Sequence, residues 1–183
     1  MFKIYEYKIN LAAEPFENLK YRDRTALVLC KDGKGNYLLD DGKNFYPKGI
    51  VRLLGGGIDA DESALEGAIR EVNEEMGVLV SQDEMAELAE IDVAGVFEGK
   101  TYKHKVFVYF LNSKKDDYLA GDDVSDIVAY SEKEYRELIK RYLELRDDNI
   151  YNQKGITFSW GDYGKVYGFI HQVALKELKA RGL

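Results

Sequence analysis

Two hydrophobic periods divide the chain. From Phe2 to Ile9 polar and apolar residues alternate as in a strand, and short apolar runs at Thr25 to Cys30, Tyr37 to Asp40, Ile50 to Leu54, Ile91 to Phe97 and Lys105 to Leu111 predict five more. In the segment KHKVFVYFL, Lys103, Lys105, Phe107 and Tyr109 alternate with His104, Val106, Val108 and Phe110, so one of the two faces must be core. The helical period takes over in three stretches. In the first, Leu65, Ala68, Ile69, Val72 and Met76 fall on one face at about 100° per residue. Ser63 with Glu66 forms a capping box and Gly77 can take the left-handed conformation that ends a helix, which sets the limits at Ala64 and Met76. A second helix opens at the capping box of Ser131 and Glu134 and runs to about Arg146, and a third spans about Lys165 to Ala180. Strands interrupt the helices without strict alternation, an order that fits a mixed sheet between helices.

The first helix carries chemistry. Residues 56 to 78 read GGIDADESALEGAIREVNEEMGV, with Gly56, Glu62, Arg70, Glu71, Val72, Glu74, Glu75, Gly77 and Val78 at fixed offsets. Glu74 and Glu75 follow Glu71 by three and four positions, so the three carboxylates leave the helix on one flank, where Ala64 and Gly67 leave room for something bulky. Like charges so spaced destabilise a helix by a few tenths of a kcal/mol per pair, and more where water is excluded, which asks for a cation. Oxygen ligands without Cys or His favour Mg²⁺, or Mn²⁺ in its place, over Zn²⁺. Gly55, Gly56 and Gly57 lead into the helix and let backbone carbonyls or amides approach a ligand. Just before them, Lys43, Lys48 and Arg52 could meet phosphate oxygens, Arg52 best through its forked donors.

The run G-x5-E-x7-R-E-U-x-E-E-x-G-U, with U aliphatic, resembles the Nudix box of the Nudix hydrolases and is filled at every fixed position. The resemblance implies an α/β fold of the Nudix type, an α/β/α sandwich with a mixed sheet between helices, its element order matching roughly Arg24 to Ala180. It implies that Glu74 and Glu75 bind divalent metal against a diphosphate, that Glu71 serves as a further ligand or as the base, and that the carbonyl of Gly55 joins the metal shell. Arg70 would orient Glu71, and Glu62 would pair with Arg70. Substrate would meet Gly56, Gly57, Arg52 and Lys48. Many family members place one more acid before a later helix, and in GDDVSDIVAYSEKE, beginning at Gly121, Asp123 matches it best, with Asp122 and Asp126 as neighbours.

The implied reaction is attack by water on a phosphoanhydride in a small nucleoside diphosphate derivative, of the nucleotide sugar or nucleoside triphosphate class. A non-catalytic nucleotide-binding regulator is the alternative, though such members commonly erode the box acids and this chain keeps them. Isomerisation of an isoprenoid diphosphate would need a catalytic cysteine, and Cys30 lies in the apolar run ALVLC. Three positions depart from the pattern. Asp40 and Asp41 stand where many members carry a basic residue, Leu54 replaces the usual proline before the paired glycines, and no proline follows the box as it often does in members that cleave ADP-ribose.

Composition narrows the partners. A chain of 183 residues with 45% hydrophobic content can bury one substantial core, so residues 1–183 read as a single domain in which 1–23 is an N-terminal strand extension. A net charge of −7 disfavours long nucleic acid and RNA decapping. One cysteine allows no intrachain disulfide, and the N-terminus lacks the apolar segment of a signal peptide or membrane span, so a soluble cytoplasmic protein without a membrane partner is expected, with a homodimer left open. His104 reads as a plain strand residue. Trp160 in FSWGDYG and Phe45 with Tyr46 in KNFYPKG are candidates for a nucleobase platform or for lids on the core.

Overall fold

In the computed structural model, which describes residues 1–42, 45–113, 126–153 and 155–183, the strand β2 (Arg24–Lys31) is apolar on both faces. Ala26, Val28 and Cys30 turn to one side and Leu27 and Leu29 to the other, so β2 lies at the centre of the sheet. It pairs in parallel with β6 (Lys100–Asn112) and antiparallel with β3 (Tyr37–Asp40) and β4 (Leu54–Gly57). Beyond β6 lie β5 (Met85–Phe97), antiparallel to it, and then β1 (Lys3–Asn10), parallel to β5. Beyond β3 lies β7 (Ile127–Tyr130), so the order is β1-β5-β6-β2-β3-β7 with β4 on β2. A separate hairpin joins β8 (Ile150–Gln153) to β9 (Ile156–Ser159).

Helices cover both faces. The helix α2 (Ala64–Met76) places Ala68, Val72 and Met76 on Val28, Leu38 and Leu54. On the opposite face, Leu19 of α1 (Glu17–Tyr21), Tyr135 and Leu138 of α3 (Glu132–Leu143) and Val166 and Ile170 of α4 (Trp160–Ala180) close over Leu29, Ile91 and Val108. This is the α/β/α sandwich around a mixed sheet that the sequence predicts. Among the described residues no helix is long and apolar enough to cross a membrane.

Three expectations need correction. The run Ile50 to Leu54 is not a strand; it makes a single bridge from Arg52 to Asp40, and the strand is the glycine run itself, starting at Leu54. Alternation could not show this, because the cause lies in the close approach of β4 to β2. The helix opened by Ser131 stops at Leu143, short of Arg146. The last helix begins at Trp160, where the Ser159 hydroxyl accepts from the backbone of Gly161 and Asp162. Its glycines read as loop formers in the sequence, yet they are contact points: a Cβ on Gly164 would lie 2.1 Å from the Tyr142 carbonyl oxygen of α3. Gly164→Ala should therefore push α4 off α3 and lower stability by about 2–3 kcal/mol, the upper range for overpacking a core. Urea denaturation reads this directly, and an unchanged midpoint would show that the helices have room.

Candidate active site

The acidic helix is locked at both ends. Ser63 Oγ accepts from the Glu66 amide at 3.3 Å, the Glu66 carboxylate accepts from the Ser63 amide at 2.8 Å, and Gly77 ends the helix at φ 64°. Because the apolar stripe faces the sheet, the acids emerge at three depths. Glu75 is 7% exposed and its Oε2 accepts the Gly55 N–H at 2.7 Å. Glu71 is partly buried against the glycine loop, so close that a Cβ on Gly56 would meet its Oε1 at 2.5 Å. Glu74 turns outward to solvent. Gly55 and Gly56 are thus required for different reasons, the first by the strand β2 beneath it and the second by the carboxylate above it.

Arg70 ties helix to loop. Its Nε and Nη2 hold both oxygens of Glu62 at 3.2 and 2.7 Å, Nη2 also donates to the Gly57 carbonyl at 2.9 Å, and Nη1 reaches Glu71 at 2.8 Å and Glu74 at 3.2 Å. The hydrogen bonds from Arg70 hold the Glu62 carboxyl below its usual range. Glu71 shows the opposite balance: burial raises its pKa, Arg70 opposes the shift, and the charge of Glu74 adds to it. Burial pushes Glu75 up to about 8; the Gly55 amide opposes this and the charge of Asp40 reinforces it. Glu75 has no ion-pair partner among the described residues.

Those observations bear on a metal ion. Among the described residues no three Asp, Glu, His or Cys side chains converge on one point as they stand, because Arg70 holds Glu71 and Glu74 while Glu75 leans on Gly55. The donor set nevertheless fits a hard cation. Every candidate side-chain donor is a carboxylate, and burial disfavours the ionised form of Glu75, which a cation would stabilise.

The other candidates are more scattered. Arg52 is committed: it pairs with the fully buried Asp40, donates to the Tyr46 hydroxyl at 3.0 Å and stacks on that ring. Lys48 is exposed on a turn whose Gly49 lies against Arg141 of α3. Lys43, Asp122 and Asp123 lie outside the described residues. Phe45 and Tyr46 do meet Trp160, with ring centroids 5.7 and 5.8 Å away, but Trp160 is buried core and of the three only Phe45 is exposed. Burial pushes the Cys30 thiol up to about 12, which leaves it inert. His104 is a buried strand residue whose Nδ1 bonds the Arg22 carbonyl at 2.8 Å.

Sequence reasoning missed Asp40 as a neighbour of Glu75. The signal was faint, an aspartate ending a strand whose other residues are all apolar.

Comparisons with known proteins bear on the fold and the family. No curated protein matches the chain. Among solved structures, a C. elegans Ap4A hydrolase in a binary complex is 18% identical with a TM-score of 0.52, over 86% of this chain and 98% of that one. The NUDIX domain of Shewanella oneidensis NrtR, complexed with ADP ribose, is also 18% identical with a TM-score of 0.52, over 64% of this chain and 78% of that one. A MutT/nudix family protein from Enterococcus faecalis is 20% identical with a TM-score of 0.47 over 63% of this chain, which spans 46% of that protein's length. A family model described as the NUDIX domain matches residues 20–153, well over half of the 183 and including all of α2, and the chain therefore belongs to the NUDIX domain family.

Proposed function

We propose that the protein hydrolyses a phosphoanhydride bond in a small nucleoside diphosphate derivative, a nucleotide sugar or nucleoside triphosphate, with Mg²⁺ or Mn²⁺ as its cofactor. The observation that carries this is Glu75, a buried carboxylate without an ion-pair partner among the described residues, held against the glycine loop at the head of an intact acidic helix. Glu71, Glu74, Glu75 and the carbonyl of Gly55 would hold the metal, which would neutralise phosphate charge and make the attacking water more acidic. Arg70, braced by Glu62 and the Gly57 carbonyl, sets the orientation of Glu71. Gly56 and Gly57 add no side chain of their own, which lets the Glu71 carboxylate and the Arg22 guanidinium lie close against the loop where a diphosphate would bind. Asp123 is the proposed further acid that activates water or binds metal.

The structural relatives support the nucleotide class, one being an Ap4A hydrolase and another holding ADP ribose. A net charge of −7 suits a small mobile substrate in the cytoplasm better than a long polyanion. A nucleotide panel run in ¹⁸O-water, followed by mass spectrometry, tests the reading. Label should appear on one phosphoryl product, a nucleoside monophosphate should be released, and excess chelator should stop turnover. Turnover confined to p-nitrophenyl phosphate, or undiminished in chelator, would overturn it.

A further inference from the structure

Nearly every arginine around the acids already has a partner. Arg70 serves Glu62, Glu71, Glu74 and the Gly57 carbonyl, Arg52 is paired with Asp40, and Arg24 donates to the Asp59 carbonyl at 2.9 Å. Arg22 is the exception: its guanidinium makes no hydrogen bond or ion pair with the described residues. Yet it lies across the glycine loop, so that a Cβ on Gly57 would come within 3.0 Å of its Nη1, and its charge is felt at the Glu71 carboxylate.

The backbone that presents Arg22 is fixed from both sides. Its amide donates to the Asn18 carbonyl at 3.1 Å, closing α1, and its own carbonyl accepts from Nδ1 of the buried His104 at 2.8 Å. A carbonyl only accepts, so Nδ1 carries the hydrogen, and burial favours the neutral ring in which that tautomer persists. One residue on, the Asp23 carbonyl accepts from the Lys105 amide at 2.9 Å. The side chain is thus flexible only beyond a rigid root. Between it and the helix opens a cavity of about 520 Å³ whose lining includes Arg22, Arg24 and Arg70 together with Asp23, Asp59 and Glu71, a volume within the range of small-molecule sites.

We propose that Arg22 is a substrate-binding residue whose guanidinium takes the phosphoryl oxygens of the diphosphate that the acidic helix does not hold. This rests on the proposed hydrolase reading for the identity of the substrate, but on the arrangement of charges for the choice of residue. A forked donor that is in no ion pair with the carboxylates lining the same cavity can meet phosphate without first breaking one. Recruiting Arg52 instead would leave the buried Asp40 without its counter-charge, held only by the Gly42 amide at 2.7 Å among the described residues.

Arg22→Gln and Arg22→Lys in the full chain, with Arg146→Gln as a control that loses only an exposed pair with Asp148, separate the possibilities. Two quantities are read: binding of ADP with Mg²⁺ by calorimetry, and KM and kcat on whichever of ADP-ribose or Ap4A is turned over. Arg22→Gln should weaken ADP and raise KM by about tenfold, the scale of a lost charge-assisted contact, with kcat within about threefold of wild type. Arg22→Lys should recover part of the loss, and the control should match wild type. If ADP binding falls in Arg22→Gln while wild type turns over nothing, the phosphate site stands and the hydrolase reading fails. If wild type turns over nucleotide and Arg22→Gln keeps the same KM and ADP affinity, or if wild type binds no ADP, the Arg22 proposal is overturned.

Discussion

Glu75→Gln is expected to lower kcat by about 100-fold or more, the scale of a lost charged contact at a reacting centre. Glu74→Gln should fall in the same range if both acids bind metal as proposed. For Glu75 the loss in rate should come with a gain in metal-free stability. Its carboxyl has an ordinary pKa of 4.5 and is pushed up to about 8 in the fold, chiefly by burial. Below pH 4.5 the folded and unfolded chains both carry the proton and the site costs nothing. As pH rises towards 8 the unfolded chain releases the proton and the folded one keeps it, so the metal-free protein loses stability across that window. Glutamine has no proton to release and should show none of this decline. Adding Mg²⁺ or Mn²⁺ should restore stability to wild type at the alkaline end and not to the variant. Melting curves at several pH values, with and without metal, measure the effect, and parallel curves for the two proteins would remove Glu75 from the metal site.

How much of the fold and the site is readable from the sequence depends on whether a feature is local. Ala64–Met76 is legible to the residue because both caps, Ser63 with Glu66 and Gly77, sit within or beside the helix's own sequence. The contacts of Arg70 with Glu62 and Glu71 are nearly as local, within one loop and one helix. The Asp40–Arg52 pair is hidden because the two are joined by an isolated bridge between segments whose pairing no period announces. Arg52 looks like a free phosphate ligand in the sequence for the same reason. Short elements escape too: β7 is four residues long and exists through its pairing with β3. Residues 56 to 78 therefore give away the family, while the polar and aromatic surroundings that would choose a substrate come from segments brought together only by the fold.

Gly55→Ala should be the most damaging single change in the loop, with an expected loss of about 4 kcal/mol of stability from combined strain and overpacking. Gly55 has φ 121°, where residues with a side chain are strained, and a Cβ there would stand 2.1 Å from the Ala26 carbonyl oxygen. That oxygen belongs to the backbone of the central strand, so no flexible side chain can yield; β4 would have to part from β2 across the Leu27–Gly55 register. The same shift would draw the Gly55 amide away from Glu75, uncoupling the loop from the acid helix. Gly99→Ala is a suitable comparison. Gly99 also has positive φ, at 77°, but an added Cβ there would meet nothing within 4 Å, which isolates backbone strain from collision. Chemical denaturation should show Gly55→Ala losing clearly more stability than Gly99→Ala, and activity near zero even where the variant is folded. Equal losses for the two would mean that β4 can slide on β2, and that the glycine loop is not the rigid floor on which Glu75 rests.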